Sequence, residues 1–327
     1  MASFGDYNRV NTNVTAMEAQ LSLNKINRDL GESRLRLSTG FKINNAEDDA
    51  AGFAIATKLK SRVAGLEQAL QNVSDAKSVL GIVEGAYGSI MDNLIEMKTL
   101  ATQGANDTLG STERGYIDSQ LQSLAADINA VADSTKFQGI GLLDGNNALD
   151  VTNTTSDFEG SYTMTVQAGE GTTDTYAVTL NAVNVATLFG VADPEAGNAT
   201  YDTGGDGTIQ IAATLGAADG SEARGVMTLS NTTSEDLRAF MANIDTAIGN
   251  LNGYMNGVGI DQRSLSGKEV NLTEAITANS AAQSRIMDTD FAKEQSNSIR
   301  LQILQQTATA ALSQANMGPQ AVLGFLG

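Results

Sequence analysis

The chain has 327 residues, a hydrophobic fraction of 41%, aromatics at only 5% without Trp, and a formal net charge of −18. The length allows two or three domains, and the charge excludes nucleic acid and anionic membrane surfaces as partners, since phosphate neutralisation needs an excess of basic side chains. Cys and His are both absent, which excludes disulfides, the common zinc sites and the Ser–His and Cys–His catalytic arrangements.

The first ten residues carry no basic cluster leading into an apolar core, so they do not read as a secretory signal. No run of about 18 apolar residues occurs, so no membrane span is predicted. A cytoplasmic protein is the plain expectation; a secreted one needs a route without a cleaved signal. Prolines occur only at Pro194 and Pro319, which leaves long stretches free of the strongest helix breaker.

Residues 8–38 read as a first helix with two apolar stripes. One runs through Ala16, Ala19, Leu23, Ile26, Leu30, Ser33 and Leu37; the other through Val10, Val14, Met17 and Leu21. Two stripes on one helix mean two buried sides and more than one neighbour. Ser38, Thr39 and Gly40 mark its stop. Asn44 to Asp49 then reads as a helix start, with Asn as cap and acids matching the helix dipole. A metal site built on those acids is the weaker reading. Ala50, Ala51, Gly52, Ala54 and Ala56 follow as a small-residue face open to close approach.

From Leu59 to Ala101 apolar residues recur in steps of three and four, from Leu59, Val63, Leu66 and Leu70 to Leu94, Met97 and Ala101. That spacing predicts one long helix with a single apolar seam, ending near Gly104. Such a seam needs partner helices. A helix capped at Ser111 or Thr112 carries Ile117, Leu121, Leu124, Ile128 and Val131. Phe137 to Gly145 reads as a hairpin or extended segment.

Residues 146–233 differ in kind. Thr, Gly, Asn and Val dominate, and Tyr162, Met164 and Val166, then Tyr176, Val178 and Leu180, alternate with polar residues as strands do. Eleven acids stand there against a single base, Arg224, so the segment holds more than half of the net charge. Gly204 to Gly207 reads as a turn. Helical spacing returns after Ser234, a predicted cap, through Leu237, Met241, Ile244, Ile248, Leu251, Met255 and Val258. A last helix carries Leu301, Leu304, Ala308, Ala311 and Ala315 until Gly318 and Pro319 break it. The fold class is mainly α with a β-rich insertion: helices from both chain ends pair in a long antiparallel, coiled-coil-like stalk. The apolar stripes left over at the termini predict self-association.

The residues carry a family resemblance. Leu35-Arg36-Leu37-Ser38-Thr39-Gly40-Phe41-Lys42-Ile43-Asn44-Asn45-Ala46-Glu47-Asp48-Asp49-Ala50-Ala51-Gly52 resembles the N-terminal signature of bacterial flagellin. Arg285 to Ala292, Gln302-Ile303-Leu304-Gln305-Gln306 and the tail from Gln314 to Leu323 resemble its C-terminal signature, and Phe137-Gln138-Gly139 its closing turn. The likeness covers roughly 1–145 and 234–327. It implies a structural subunit that polymerises into the flagellar filament for motility, with no enzymatic activity, no cofactor and no metal. It implies terminal helices in an inner tube (1–44 plus 284–327), a helical domain with a short β-hairpin around it (45–145 plus 234–283), and a variable domain outside (146–233). Assembly residues implied on the inner helices are Ala16, Leu23, Ile26, Leu30, Leu37, Ile299, Leu301, Leu304, Ala308, Ala311 and Ala315. Implied partners are further copies of the chain, the export apparatus with its chaperone, the cap protein and hook-associated proteins; the implied location is the extracellular filament. The alternatives are a hook–filament junction protein of the same family and, from another class, a secreted effector. Many flagellins also meet a Toll-like receptor of vertebrate hosts through a stretch resembling Leu-Gln-Arg-Val-Arg-Glu-Leu. The corresponding residues, Leu94, Glu96, Lys98 and Leu100, with Gln120 downstream, depart from that pattern at Glu96, Lys98 and Gln120.

Overall fold

The structure, a computed structural model, describes residues 12–143, 161–189, 200–202, 209–214, 224–230 and 232–324. Val10 and the Gly204–Gly207 turn lie outside them. In chain order the elements are α1 (Val14–Thr39), α2 (Ala50–Gly104), α3 (Ser111–Ser134), β1 (Lys136–Phe137), β2 (Ile140–Gly141), β3 (Ser161–Gln167), β4 (Thr175–Asn181), α4 (Val185–Leu188), β5 (Thr200–Asp202), β6 (Ile209–Thr214), β7 (Arg224–Leu229), α5 (Ser234–Met287) and α6 (Phe291–Gly324). The fold is mainly α with a strand-containing middle. No described helix is long and apolar enough to cross a membrane.

The chain divides into two compact units, residues 1–64 with 275–327, and residues 65–274. The division falls within α2 and within α5.

In the first unit, α1 pairs antiparallel with α6. The Asn13 amide donates to the Ala315 carbonyl at 2.8 Å and Gln305 donates to Asn27 at 2.7 Å. Those two bonds fix the register along the first half of α1. The turn after α1 is stitched to the turn before α6. Phe41 and Asp288 form an antiparallel bridge, the Lys42 N–H donates to the Met287 carbonyl, and the Thr289 N–H donates to the Gly40 carbonyl. Gly40 has φ 77°, the left-handed conformation that ends a helix at little cost only with glycine.

In the second unit, α2 and α5 run antiparallel. Lys77 pairs with Glu269 at 2.7 Å, Gln262 donates to Glu84 at 2.8 Å, and Lys98 pairs with Asp245. Val73, Leu80, Val83, Ile90, Leu94 and Met97 of α2 and Ile244, Leu251 and Leu265 of α5 are fully buried. This is the seam that the three–four spacing predicts. Leu121 and Ile128 of α3 join the same core. β1 and β2 form a two-residue hairpin turned by Gln138 and Gly139, both at positive φ, as twist-matched tight turns require.

β3 and β4 pair antiparallel from Ser161↔Asn181 to Gln167↔Thr175. This hairpin is bound to the helices, not held away from them. The Tyr87 hydroxyl donates to the Asn181 carbonyl at 3.0 Å, Asn72 donates to the Gln167 carbonyl at 3.2 Å, and the Tyr176 hydroxyl donates to Asp261 at 2.8 Å. Phe189 then stacks on Phe240 of α5 with ring centroids 5.6 Å apart. A three-stranded sheet of order β5-β6-β7 follows, and β7 lies against α3 and α4.

Two sequence expectations shift. Ser234 is the first residue of α5 and Thr233 is its cap. The Asp236 carboxylate accepts from the Thr233 N–H at 2.8 Å, while the Thr233 hydroxyl accepts from the Asp236 N–H at 3.3 Å. A reciprocal pair satisfies two otherwise orphaned donors, which a serine one residue later does not do. The helix break expected at Gly318 and Pro319 does not occur, and α6 continues to Gly324. Proline holds a helical φ, so its cost there is one lost N–H bond and local crowding, without an obligatory stop.

Candidate assembly surface and signature turn

α1 and α6 present two kinds of apolar position. Of the residues predicted for assembly, only Leu30 and Leu301 are buried, at 3% and 7% exposure. Ala16, Leu23, Ile26, Leu37, Ala308 and Ala315 are half-buried along the α1–α6 contact, whereas Ile299, Leu304 and Ala311 are exposed. In the second stripe of α1, Met17 and Leu21 stay uncovered at 63% and 74% exposure, while Val14 is half-buried. On α6, Ile303 of the signature is also exposed, as are Gln302 and Gln306, while Gln305 is drawn in by its bond to Asn27. Each helix thus spends one stripe on its partner and leaves another facing outward. Sequence reasoning missed Leu35, Ile55 and Phe291, which are exposed large apolar residues of the same unit. Leu35 and Ile55 sit between the counted stripes, and Phe291 starts its helix, so spacing did not select them.

The signature turn is built by acids acting as hydrogen-bond acceptors. The Asp48 carboxylate accepts from the Asn44 and Asn45 N–H groups at 2.9 and 3.1 Å and lies 3.6 Å from Arg36. Those two N–H groups, with Arg36, hold Asp48 below the usual carboxylate range. Asp49 caps α2, accepting from Ala51 and Gly52 N–H at 3.1 and 3.0 Å. The cap is therefore Asp49, while Asn44 and Asn45 supply donors to the turn. The Asn44 side chain also donates to the Phe41 carbonyl at 3.1 Å. Gly52 is required by space: a Cβ there would stand 2.8 Å from Ile43 Cδ1 and 2.6 Å from the Asp49 carboxylate. Ala50 and Ala51, in contrast, are exposed. Among the described residues no group of acids is arranged to hold a metal ion.

The stretch matched to the receptor-binding pattern lies on α2 in the second unit. Leu94 is fully buried in the seam and Leu100 half-buried, so both serve packing. Glu96 and Gln120 are exposed. Lys98 is engaged in its ion pair with Asp245.

A buried polar junction joins α3 to the start of α5. Asp118 is 4% exposed and accepts from the Thr232 hydroxyl at 2.6 Å. Burial pushes its carboxyl above the usual range, against the pull of the Thr232 bonds and Arg114. Nearby, Gln122 donates to the Leu229 carbonyl at 2.7 Å and holds the end of β7. At the N-terminal end of α5, Asp107 receives the Ser234 hydroxyl and Arg238, which hold its carboxyl low.

Comparison with known proteins now bears on this geometry. Residues 10–148 match the bacterial flagellin N-terminal helical region, and residues 241–326 match the bacterial flagellin C-terminal helical region. Polar flagellin C of Vibrio parahaemolyticus is 30% identical across 97% of this chain and 99% of its own length. The chain belongs to the bacterial flagellin family. This flagellin is a structural subunit of the flagellar filament. It is also similar to the flagellar filament 41 kDa core protein of Borreliella burgdorferi, at 29% identity over 97% of this chain and 99% of that one. Among solved structures, one described as a flagellar hook-associated protein of Vibrio parahaemolyticus shares the fold, with a TM-score of 0.52, 17% identity, and coverage of 74% of this flagellin and all of that chain. Both matched regions leave out 149–240, where the composition changes and the sheet of β5, β6 and β7 lies.

Proposed function

We propose that this flagellin builds the filament through the outward stripes of α1 and α6, with residues 1–44 and 284–327 forming the inner tube, 45–145 and 234–283 the surrounding wall, and 146–233 the outer part. The observation that carries this reading is the uncovered row of Met17, Leu21, Ile299, Ile303 and Leu304 on two helices that already pack on each other. Exposed apolar rows of that size are interaction surfaces. The occupants are further copies of the same chain, as the family's filament role requires. The role is structural and not catalytic, which the absence of His and Cys supports. The subunit acts outside the cell and reaches the growing end by the flagellar export route with a chaperone, under a cap protein and beyond hook-associated proteins. A hook–filament junction role is less favoured, because full-length relatives are named as flagellins and as a filament core protein.

Seeded polymerisation followed by electron microscopy tests the reading. Leu21→Glu and Ile303→Glu place a charge on the outward stripes without touching the α1–α6 contact. Each variant is expected to keep the monomer's helical circular dichroism and to lose filament growth. Filaments of normal length from both variants would refute the proposed surface.

A further inference from the structure

One stretch of α5 is helical against its own composition. Seven of the eleven residues from Gly249 to Gly259 are Gly or Asn, both poor helix formers, with Gly the weakest after Pro. Neither space nor backbone conformation asks for these glycines. A Cβ at Gly249, Gly253, Gly257 or Gly259 would meet nothing within 4 Å, and none of the four has a positive φ. This sets them apart from Gly52 and Gly104, where a Cβ would collide. Packing holds the stretch as helix: Leu251 and Val258 are buried, and the Tyr254 ring lies 6.5 Å from that of Tyr87.

The partner helix is weakened at the same level. Lys98 with Asp245 and Glu84 with Gln262 clamp α2 to α5 on either side. Between those clamps, among the described residues, no hydrogen bond or ion pair joins the two helices. α2 has Gly85 and Gly88 there, again with nothing within 4 Å of an added Cβ. The strand-containing middle is fastened at this level too. Asn250 donates to the Leu188 carbonyl at 3.1 Å, the Tyr87 hydroxyl to the Asn181 carbonyl, and the Tyr176 hydroxyl to Asp261, just beyond the stretch.

We propose that residues 249–259 of α5, with 85–88 of α2 opposite, form a bending joint within the second unit, and that the fastenings from β4 and α4 splint it. A load on the strand-containing middle then reaches the helix pair where it is softest. The pair flexes there, and the clamps on either side stay closed. The joint lies wholly within the second unit, so it stands apart from the filament reading.

Spin-label distances in the full-length monomer test it. The chain has no Cys, so Thr246→Cys/Asn271→Cys gives two labelled sites and no others, about 38 Å apart along the helix. Both positions are exposed, on the face of α5 that carries Gly253 and Gly257. Labels on that face change separation whenever the joint bends. Added to that pair, Gly253→Ala/Gly257→Ala is expected to narrow the distance distribution. The same two substitutions are expected to raise amide protection over 249–259 about tenfold or more. Gly267→Ala makes the same exchange beyond the Gln262 clamp and is expected to leave the distribution unchanged. Asn250→Ala tests the splint, because it improves helix propensity but removes the bond to Leu188. It is expected to broaden the distribution. A wild-type distribution as narrow as that of the double glycine variant would overturn the joint, and so would equal narrowing by Gly267→Ala. A distribution no broader in Asn250→Ala than in wild type would overturn the splint.

Discussion

Asp118 shows how one buried carboxyl makes stability depend on pH. Its carboxyl is raised above 3.8 by burial, so the folded state binds the proton more tightly than the unfolded state. Acidifying from neutrality through the raised value toward 3.8 therefore adds stability to the second unit, and at neutral pH the cost of the buried charge stands in full. Asp118→Asn keeps an acceptor for Thr232 and removes the charge. Thermal unfolding is expected to show a higher midpoint than wild type at neutral pH and a flatter dependence as the pH falls toward 3.8. Equal slopes between neutrality and 3.8 would show that the Asp118 carboxyl is not raised in the folded state. Asp48 has the opposite sign, since its carboxyl is lowered; its contribution is present above 3.8 and is lost only in more acid solution. Gly52→Ala is expected to destabilise the first unit by roughly 1–3 kcal/mol, because Ile43 and Asp49 must both move. Glu96 is exposed where the receptor-recognised pattern has Arg, and Lys98 is tied to Asp245. This flagellin is therefore expected to be a weak agonist of the vertebrate receptor, and Glu96→Arg to raise a cell reporter response about tenfold, since a wrong charge at an interface is costly. A strong native response left unchanged by the substitution would refute this.

At the scale of elements, the helices were legible because their seams repeat over many turns. Leu80, Ile90, Leu94 and Met97 lie where three–four spacing puts them, and α2 ends at the expected Gly104 but starts at Ala50, after the turn in which Asn44 was expected as its cap. Caps were less legible, because several adjacent residues can each supply an acceptor. Asp49 rather than Asn44 caps α2, and Thr233 rather than Ser234 caps α5, and only the three-dimensional turn decides between neighbours. The alternation at Tyr162 and Tyr176 disclosed the β3–β4 hairpin. It did not disclose where the hairpin packs, because its partners Asn72, Tyr87 and Asp261 are distant in sequence. A consequence follows for excision of 146–233 with Gly145 joined to Ser234. The cut removes Val178, Leu180, Val185 and Leu188, all buried, and strips Phe240 of the ring stacked on it. The excised protein is expected to unfold at a temperature several degrees below wild type, on the order of 5 °C or more. A milder probe is Phe240→Ala, expected to cost about 3–5 kcal/mol; chemical denaturation measures it.

At the scale of the whole molecule, the sequence announced two helical ends and a different middle, and the α1–α6 pairing follows from apolar stripes that only the opposite end can cover. The line between the two compact units was not announced. It falls at 64/65 and 274/275, inside helices whose spacing runs on without interruption. Nor did spacing reveal that the buried positions of α1 and α6 include two serines, since Ser33 occupies a regular position in the apolar series. Deletion of 301–327 removes Leu301 and most of the outward stripe of α6, and leaves Leu30 without its partner. Filament formation is expected to be lost, while the second unit, which contains none of those residues, keeps its unfolding transition in calorimetry. Filaments from the shortened chain would remove α6 from the proposed inner tube.

The bond from Asn13 to Ala315 joins residues 302 positions apart, and that from Gln305 to Asn27 spans 278. Contacts of such separation carry a high contact order, and the loop they close must lose its entropy before the contact repays anything. For a chain delivered end first, the first unit has no folding nucleus of its own until the last residues have arrived, whichever terminus leads. The second unit has shorter closures and can collapse earlier, which shortens the effective loop and lowers the cost of the final pairing. Order of delivery and order of folding are thus separated by topology: the unit proposed to build the polymer is the last part able to form.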